Sequence, residues 1–137
     1  MTLLVDTGPL VAFIDPSDSD HAECTATMQA LDREAMITTW QCFTEAMHFL
    51  GRGRGFYLQD RLWDMRSAGL LAIHSTNNQE TDRIEALMRQ YQDSRMDLAD
   101  ASIIAAAESL SLRRVFTLDR GFFYFQLSDG AYPLVIR

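Results

Sequence analysis

Short runs of consecutive apolar residues alternate along this chain with longer segments of helical period. That alternation restricts the fold more than any single motif does. The runs fall at residues 3–5, 35–38, 70–73, 115–118 and 134–136. They are apolar on successive positions rather than on every second one, the pattern of strands covered on both faces. Between them, helical spacing predicts a short helix over 8–14, stopped by Asp15-Pro16, and a longer one over 18–33 carrying Cys24, Met28 and Leu31. A third spans 40–50 and ends at the glycines 51, 53 and 55. Leu58, Leu62 and Met65 mark a fourth, and Ile84, Leu87, Met88 and Tyr91 a fifth. The last runs over 98–110, with Ile103, Ile104, Ala107 and Leu110 on one face.

Strands separated by helices imply parallel pairing through right-handed crossovers, hence an α/β fold: a three-layer α/β/α sandwich with a short, mainly parallel sheet. The 137 residues are expected to form one domain, 1–137, with a core large enough to need no staples. No apolar run approaches the roughly 18 residues a membrane span requires. The start of the chain carries no basic, cleavable leader. Cys24 and Cys42 match no paired-cysteine metal spacing and read as buried thiols. Together these features point to a cytoplasmic protein without a membrane partner.

In open parallel sheets ligands gather at the carboxyl ends of the strands, and two of those ends carry acids. Asp6 closes the first run and Asp119 the fourth. Asp6 reads either as the N-cap of the helix that follows or as a ligand; Thr7 orients its carboxylate through the hydroxyl or caps the same helix. Asp119, followed by Arg120-Gly121, reads as a turn residue or a ligand. Asp100 lies on the helix face that otherwise points into the core. Asp97 and Asp100 together form a weak capping box, so Asp97 is assigned to the cap or to a supporting position and Asp100 to a ligand, with the reverse left open. Glu45 shares its helix with Trp40, Phe43, Met47, Phe49 and Leu50; it is a solvated glutamate or a fourth acid of the site. If these four meet, their like charges require a cation or shared protons. An all-oxygen donor set favours a hard ion, Mg²⁺ or Mn²⁺, over zinc. His48 reads as an ordinary half-buried histidine, and His21 and His74 as positions without partners.

The charge sets a further limit. A net charge of −7 excludes a generally basic, polyanion-binding surface. All twelve basic residues are arginine, which excludes Schiff-base chemistry and a Walker-type lysine. Arg52, Arg54, Arg61 and Arg66 cluster around a Gly-Arg-Gly-Arg-Gly turn, either as a solvated face or as a phosphate clamp beside the acids.

Four segments carry a resemblance. Leu3-Leu-Val-Asp6-Thr-Gly-Pro, Thr44-Glu45, Met96-Asp-Leu-Ala-Asp100-Ala-Ser-Ile-Ile and Val115-Phe-Thr117-Leu-Asp119-Arg-Gly-Phe-Phe follow one another in the order and spacing of PIN domains. Over essentially its whole length the chain resembles the toxin-type PIN proteins of toxin–antitoxin pairs (VapC-like). The resemblance implies a Rossmann-like fold and a metal-dependent endoribonuclease that leaves 5′-phosphate and 3′-hydroxyl ends. It also implies a homodimer and a cognate antitoxin protein that blocks the site. Asp6, Glu45, Asp100 and Asp119 would then be catalytic, with metal on Asp6, Asp100 and Asp119. Thr117 would be a hydroxyl near the scissile phosphate, and Arg120 or an arginine of the 52–66 cluster would contact RNA. Trp40, Phe122, Phe123 and Tyr124 are available as stacking surfaces.

Two other readings use the same residues. Val5-Asp6-Thr7-Gly8 matches the active-site string of aspartic proteases, but that fold is nearly all β and this chain has at least four helical periodicities. A PIN-like fold could also serve as a non-catalytic binding or regulatory module.

Overall fold

The computed structural model describes residues 1–32, 34–53 and 55–136. Arg54 of the arginine cluster and Arg33, the expected end of the second helix, lie outside the described residues. Five strands form one sheet: β1 (Thr2–Val5), β2 (Ala35–Thr39), β3 (Leu71–His74), β4 (Arg114–Phe116) and β5 (Leu134–Ile136). Every pairing among them is parallel, in the order β3-β2-β1-β4-β5. Among the described residues six α-helices accompany them: α1 (Thr7–Ile14), α2 (His21–Ala30), α3 (Trp40–Leu50), α4 (Phe56–Ser67), α5 (Asn78–Gln90) and α6 (Leu98–Leu110).

Side-chain alternation along the strands divides the core in two. Leu4 and Val115 point to the face covered by α5 and α6, with Ile84, Leu87, Ile103 and Ile104. Leu3, Val5 and Phe116 point to the opposite face, against residues of α1 to α4 such as Leu10, Phe43, Leu50 and Leu62. The expected three-layer α/β/α sandwich is therefore observed. A parallel α/β sheet overturns the aspartic-protease reading, because the Val5-Asp6-Thr7-Gly8 string here joins a strand to a helix rather than to another strand.

Three sequence expectations change. The fourth strand ends at Phe116: the Thr117 N–H still reaches the Ile136 carbonyl at 3.3 Å, but its hydroxyl turns to Asp6 and the Asp119 N–H, and Leu118 leaves the ladder. The second helix begins at His21 rather than residue 18, since Asp18 binds the Asp20 N–H in a turn. Helix α6 is buried on all sides rather than on one, from Ala99 through Ala107. Its alanines let the helix sit against the sheet, α3 and α5 at once. Among the described residues no helix is long and apolar enough to cross a membrane.

The sheet order creates the end of the molecule where a site is expected. From β1 the chain first winds outward through β2 and β3, then returns to place β4 on the other side of β1. Connections therefore leave β1 and β4 toward opposite faces, opening a crevice at their carboxyl ends. Asp6 and Thr117 are the first residues past those two ends.

Candidate active site

Asp6 leaves β1 with its N–H still bonded to the Phe116 carbonyl at 2.9 Å, which fixes the acid at the seam between β1 and β4. Its side chain caps α1, Oδ1 accepting the Thr7 N–H at 2.8 Å. Oδ2 accepts from Thr117 Oγ1 at 2.7 Å, and the Cys42 thiol lies 3.6 Å from Oδ1. The two sequence alternatives for Asp6 are thus compatible, because the cap itself aims the carboxylate. Thr7 orients Asp6 through its backbone N–H; its hydroxyl donates to the Cys42 carbonyl instead.

Asp97 and Asp100 form a reciprocal capping box at the start of α6. Asp97 Oδ1 accepts the Asp100 N–H at 2.8 Å, and Asp100 Oδ2 faces the Asp97 N–H at 3.2 Å. Asp119 caps a 3₁₀ turn over Arg120–Phe123, its Oδ1 accepting the Gly121 N–H at 2.8 Å. Glu45 stands half-buried on α3. All five acids, Asp6, Glu45, Asp97, Asp100 and Asp119, line one cavity of about 560 Å³.

Burial makes this arrangement electrostatically costly. Asp6 and Asp100 are only 6% and 7% exposed. Loss of hydration pushes the Asp6 carboxyl up to about 6, although hydrogen bonds from Thr117, Thr7 and Cys42 oppose the rise. Burial, then the charges of Asp6 and Asp97, push Asp100 up to about 8. Both shifts mark a site that favours an added positive charge. The Cys42 thiol is pushed up by burial and by Asp6, so it serves as a neutral donor rather than a nucleophile.

Among the described residues, no three His, Cys, Asp or Glu side chains are already drawn together as a ready-made metal cage. The donor set nevertheless fits a hard divalent cation. It is all carboxylate and opens on a water-accessible cavity, and Mg²⁺ is bound typically through one or two carboxylates with the remaining positions held by water.

The fold agrees with comparison to known proteins. The family model of the PIN domain matches residues 3–125. The chain is a PIN domain. It is 22% identical over 121 residues to ribonuclease VapC26 of Mycobacterium tuberculosis, covering 88% of this chain and 89% of that one. The crystal structure of VapC20 from Mycobacterium tuberculosis, described as a sarcin–ricin loop cleaving toxin, superposes with a TM-score of 0.79 at 15% identity, over 89% of this chain and 92% of that one. A toxin–antitoxin complex from Klebsiella pneumoniae superposes with a TM-score of 0.61 at 21% identity, over 98% and 96% of the two chains.

Within this PIN domain, several expected residues occupy unexpected places. Thr117 is fully buried behind Asp6 and does not line the cavity; its hydroxyl reaches the acid rather than the cavity. Arg120 is exposed and stands off the cavity wall, whereas Arg52 lines it. Phe122 is core, and Phe123 and Tyr124 are exposed away from the cavity. Trp40 stays 42% exposed beside an adjoining cavity. His21 donates from Nδ1 to the Ala12 carbonyl, and His74 pairs with Glu80 at 2.7 Å, so neither lacks a partner. His48 is exposed rather than half-buried.

Asp18 and Asp20 also line the acidic cavity. They stand in the turn before α2, where nothing local separates them from ordinary turn aspartates. Below the acids lies a buried hydroxyl layer that sequence reasoning missed. Thr38 donates to the Val5 carbonyl, and Thr39, which caps α3, meets Ser102 at 2.7 Å. The weak clue was a run of threonines ending β2 rather than further apolar residues.

Proposed function

We propose that this PIN domain is a divalent-metal-dependent endoribonuclease, the toxin of a toxin–antitoxin pair. One observation carries the reading: seven carboxylates from five separate segments line a single cavity at the switch point of the sheet, two of them buried and protonated more readily than ordinary acids. Such a set is stabilised by a cation, and the family to which the chain belongs gives that cation a purpose. The ribonuclease name of its relative and the toxin description of a structural neighbour support RNA as substrate and an antitoxin protein as partner. The toxin–antitoxin complex among its structural neighbours supports the same partner, and we extend the family's homodimer to this chain.

Asp6, Asp100 and Asp119 would hold Mg²⁺ or Mn²⁺. When bound, the ion supplies Lewis-acid polarisation of a phosphoryl oxygen and a lowered pKa for water. Asp6 is held in one orientation by three donors, so its carboxylate presents a fixed edge to the cavity. Asp97 holds the first turn of α6 and with it the Asp100 backbone. Glu45, half-buried on the facing helix, accepts the proton of the attacking water. In-line displacement at phosphorus then breaks the bond to the 3′-oxygen, which takes a proton from solvent water, leaving a 5′-phosphate and a 3′-hydroxyl.

The test is incubation of the protein with RNA in Mn²⁺ or Mg²⁺, followed by end analysis of the fragments. Cleavage that requires the ion, leaves 5′-phosphates and disappears in Asp100→Asn supports the proposal. Cleavage equally fast in excess chelator, or by Asp100→Asn, overturns it.

A further inference from the structure

One face of α3 runs the length of the cleft. The acidic cavity is bounded on α3 by Glu45 and Phe49 and just beyond it by Arg52. A second cavity, of about 640 Å³, is bounded on the same helix by Trp40, Gln41, Thr44, Glu45 and His48. The two share Glu45 and Asp97, so they adjoin at the acids. From Trp40 to Leu50 the helical rise spans about 15 Å, a length of a few nucleotides, and Arg52 stands in the turn just past the helix end.

The two ends of this face differ in chemistry from the middle. Arg52 is the one arginine lining the acidic cavity among the described residues. Its guanidinium carbon lies 5.1 Å from the Phe49 ring centroid, a cation–π stack. Among the described residues it makes no carboxylate ion pair, although the cavity holds seven acids. A guanidinium supported by a ring and unpaired beside an acidic cavity is placed to receive an anion. At the other end the Trp40 ring is fixed by its Nε1–H donating to Ser75 Oγ at 3.3 Å and by an edge contact with Phe43. It nevertheless remains 42% exposed, and a rigid, half-exposed indole is a stacking platform for a base.

We propose that this face of α3 is the track of a single RNA strand. Arg52 holds the phosphate on one side of the bond cut beside Glu45, and Trp40 stacks the base on the other. The arrangement explains how a chain of net charge −7 engages a polyanion: one placed cation and one placed ring replace a basic surface. It rests on the endoribonuclease reading and adds the path of the substrate across the cleft.

The test uses a short, labelled single-stranded RNA of mixed sequence, with KM from cleavage in Mn²⁺ and Kd from fluorescence anisotropy in chelator. Arg52→Gln is expected to weaken both about tenfold and to make the slope of log affinity against log salt shallower by about 0.7, the signature of one lost phosphate contact. Trp40→Leu is expected to weaken both about tenfold with the salt slope unchanged, and Trp40→Tyr to recover most of the loss. Because Trp40 touches Phe43, the melting temperature of each variant is measured alongside; a tyrosine that restores folding without restoring affinity counts against the track. Wild-type affinity and salt slope in Arg52→Gln, or wild-type affinity in Trp40→Leu, overturn it while leaving the nuclease intact. Absence of cutting and binding by the wild-type protein overturns the nuclease reading and the track together.

Discussion

The Thr117 hydroxyl donates to Asp6 Oδ2 over 2.7 Å while accepting the Asp119 N–H over 2.9 Å. One buried side chain thus ties the acid after β1 to the segment carrying the acid after β4. A hydroxyl has a single proton, and here it is committed to the carboxylate. Replacing Thr117 by valine keeps the shape but strands a carboxylate oxygen and a backbone N–H. The expected cost is about 1–3 kcal/mol of stability, read from urea denaturation, with a larger loss of RNA cleavage than in Thr117→Ser. Equal behaviour of the valine and serine proteins would show that the hydroxyl does not matter.

The acids make stability of the metal-free protein depend on pH in a defined direction. Asp6 and Asp100 have folded values of about 6 and about 8, above the ordinary 3.8, so each holds its proton more tightly folded than unfolded. The stability this confers is complete below about pH 4 and is lost as pH rises through the two folded values. In chelator, the denaturation midpoint is expected to fall between about pH 5 and about pH 8.5. Asp100→Asn should flatten the upper part of that decline. A midpoint that rises over the same interval would contradict the assignment.

Divalent ions should act in the opposite sense. An ion bound only by the folded state at about a hundredfold excess over its Kd adds about 2.7 kcal/mol. Millimolar Mn²⁺ or Mg²⁺ is therefore expected to raise the melting temperature, most of all at alkaline pH, and Asp6→Asn should abolish the increment. A melting temperature indifferent to both ions would remove the case for a metal.

Asp97 combines two effects that substitution can separate. Its side chain caps α6, and its charge is one of the causes that raise Asp100. Asp97→Ala loses the cap, at about 1 kcal/mol. Asp97→Asn keeps an acceptor for the Asp100 N–H while removing the repulsion, so in chelator at alkaline pH it should be at least as stable as wild type. Paired denaturation curves of the two variants decide the point; an asparagine protein as unstable as the alanine one would refute it.

Asp119 is held against a tight turn. A Cβ at Gly121 would lie 3.0 Å from the Phe125 ring and 3.1 Å from Asp119 Oδ1. Gly121→Ala is therefore expected to shift the Asp119 carboxylate and lower cleavage several-fold, with a stability loss on the order of 1 kcal/mol. Unchanged kcat would place Asp119 outside the chemistry.

What could be read in the sequence was whatever a few neighbouring residues encode. Helices α3 and α6 fall at the predicted limits, because their periodicity, the cap of α6 at Asp97 and the glycine stop after α3 are local. The Asp97–Asp100 box was visible for the same reason. Alternation of apolar runs with helical segments sufficed for the three layers, and acids at strand ends sufficed to suggest where a site lies. Contacts between remote segments were not legible. Thr117 looked like a strand threonine until strand order set it against Asp6, 111 residues away. Asp18 and Asp20 carry no local mark that distinguishes them from ordinary turn residues, yet both line the cavity; Arg52 stood out only as one of a cluster of arginines, and the fold alone selects it as the one described member of that cluster on the cavity wall. Local hydrogen bonds and side-chain period are fixed over one or two turns of chain, so sequence alone determined the elements and their polarity. Which elements become neighbours depends on closing long loops against the burial of two apolar sheet faces, and only the tertiary structure, by placing β4 beside β1, decided which side chains share the acidic cleft.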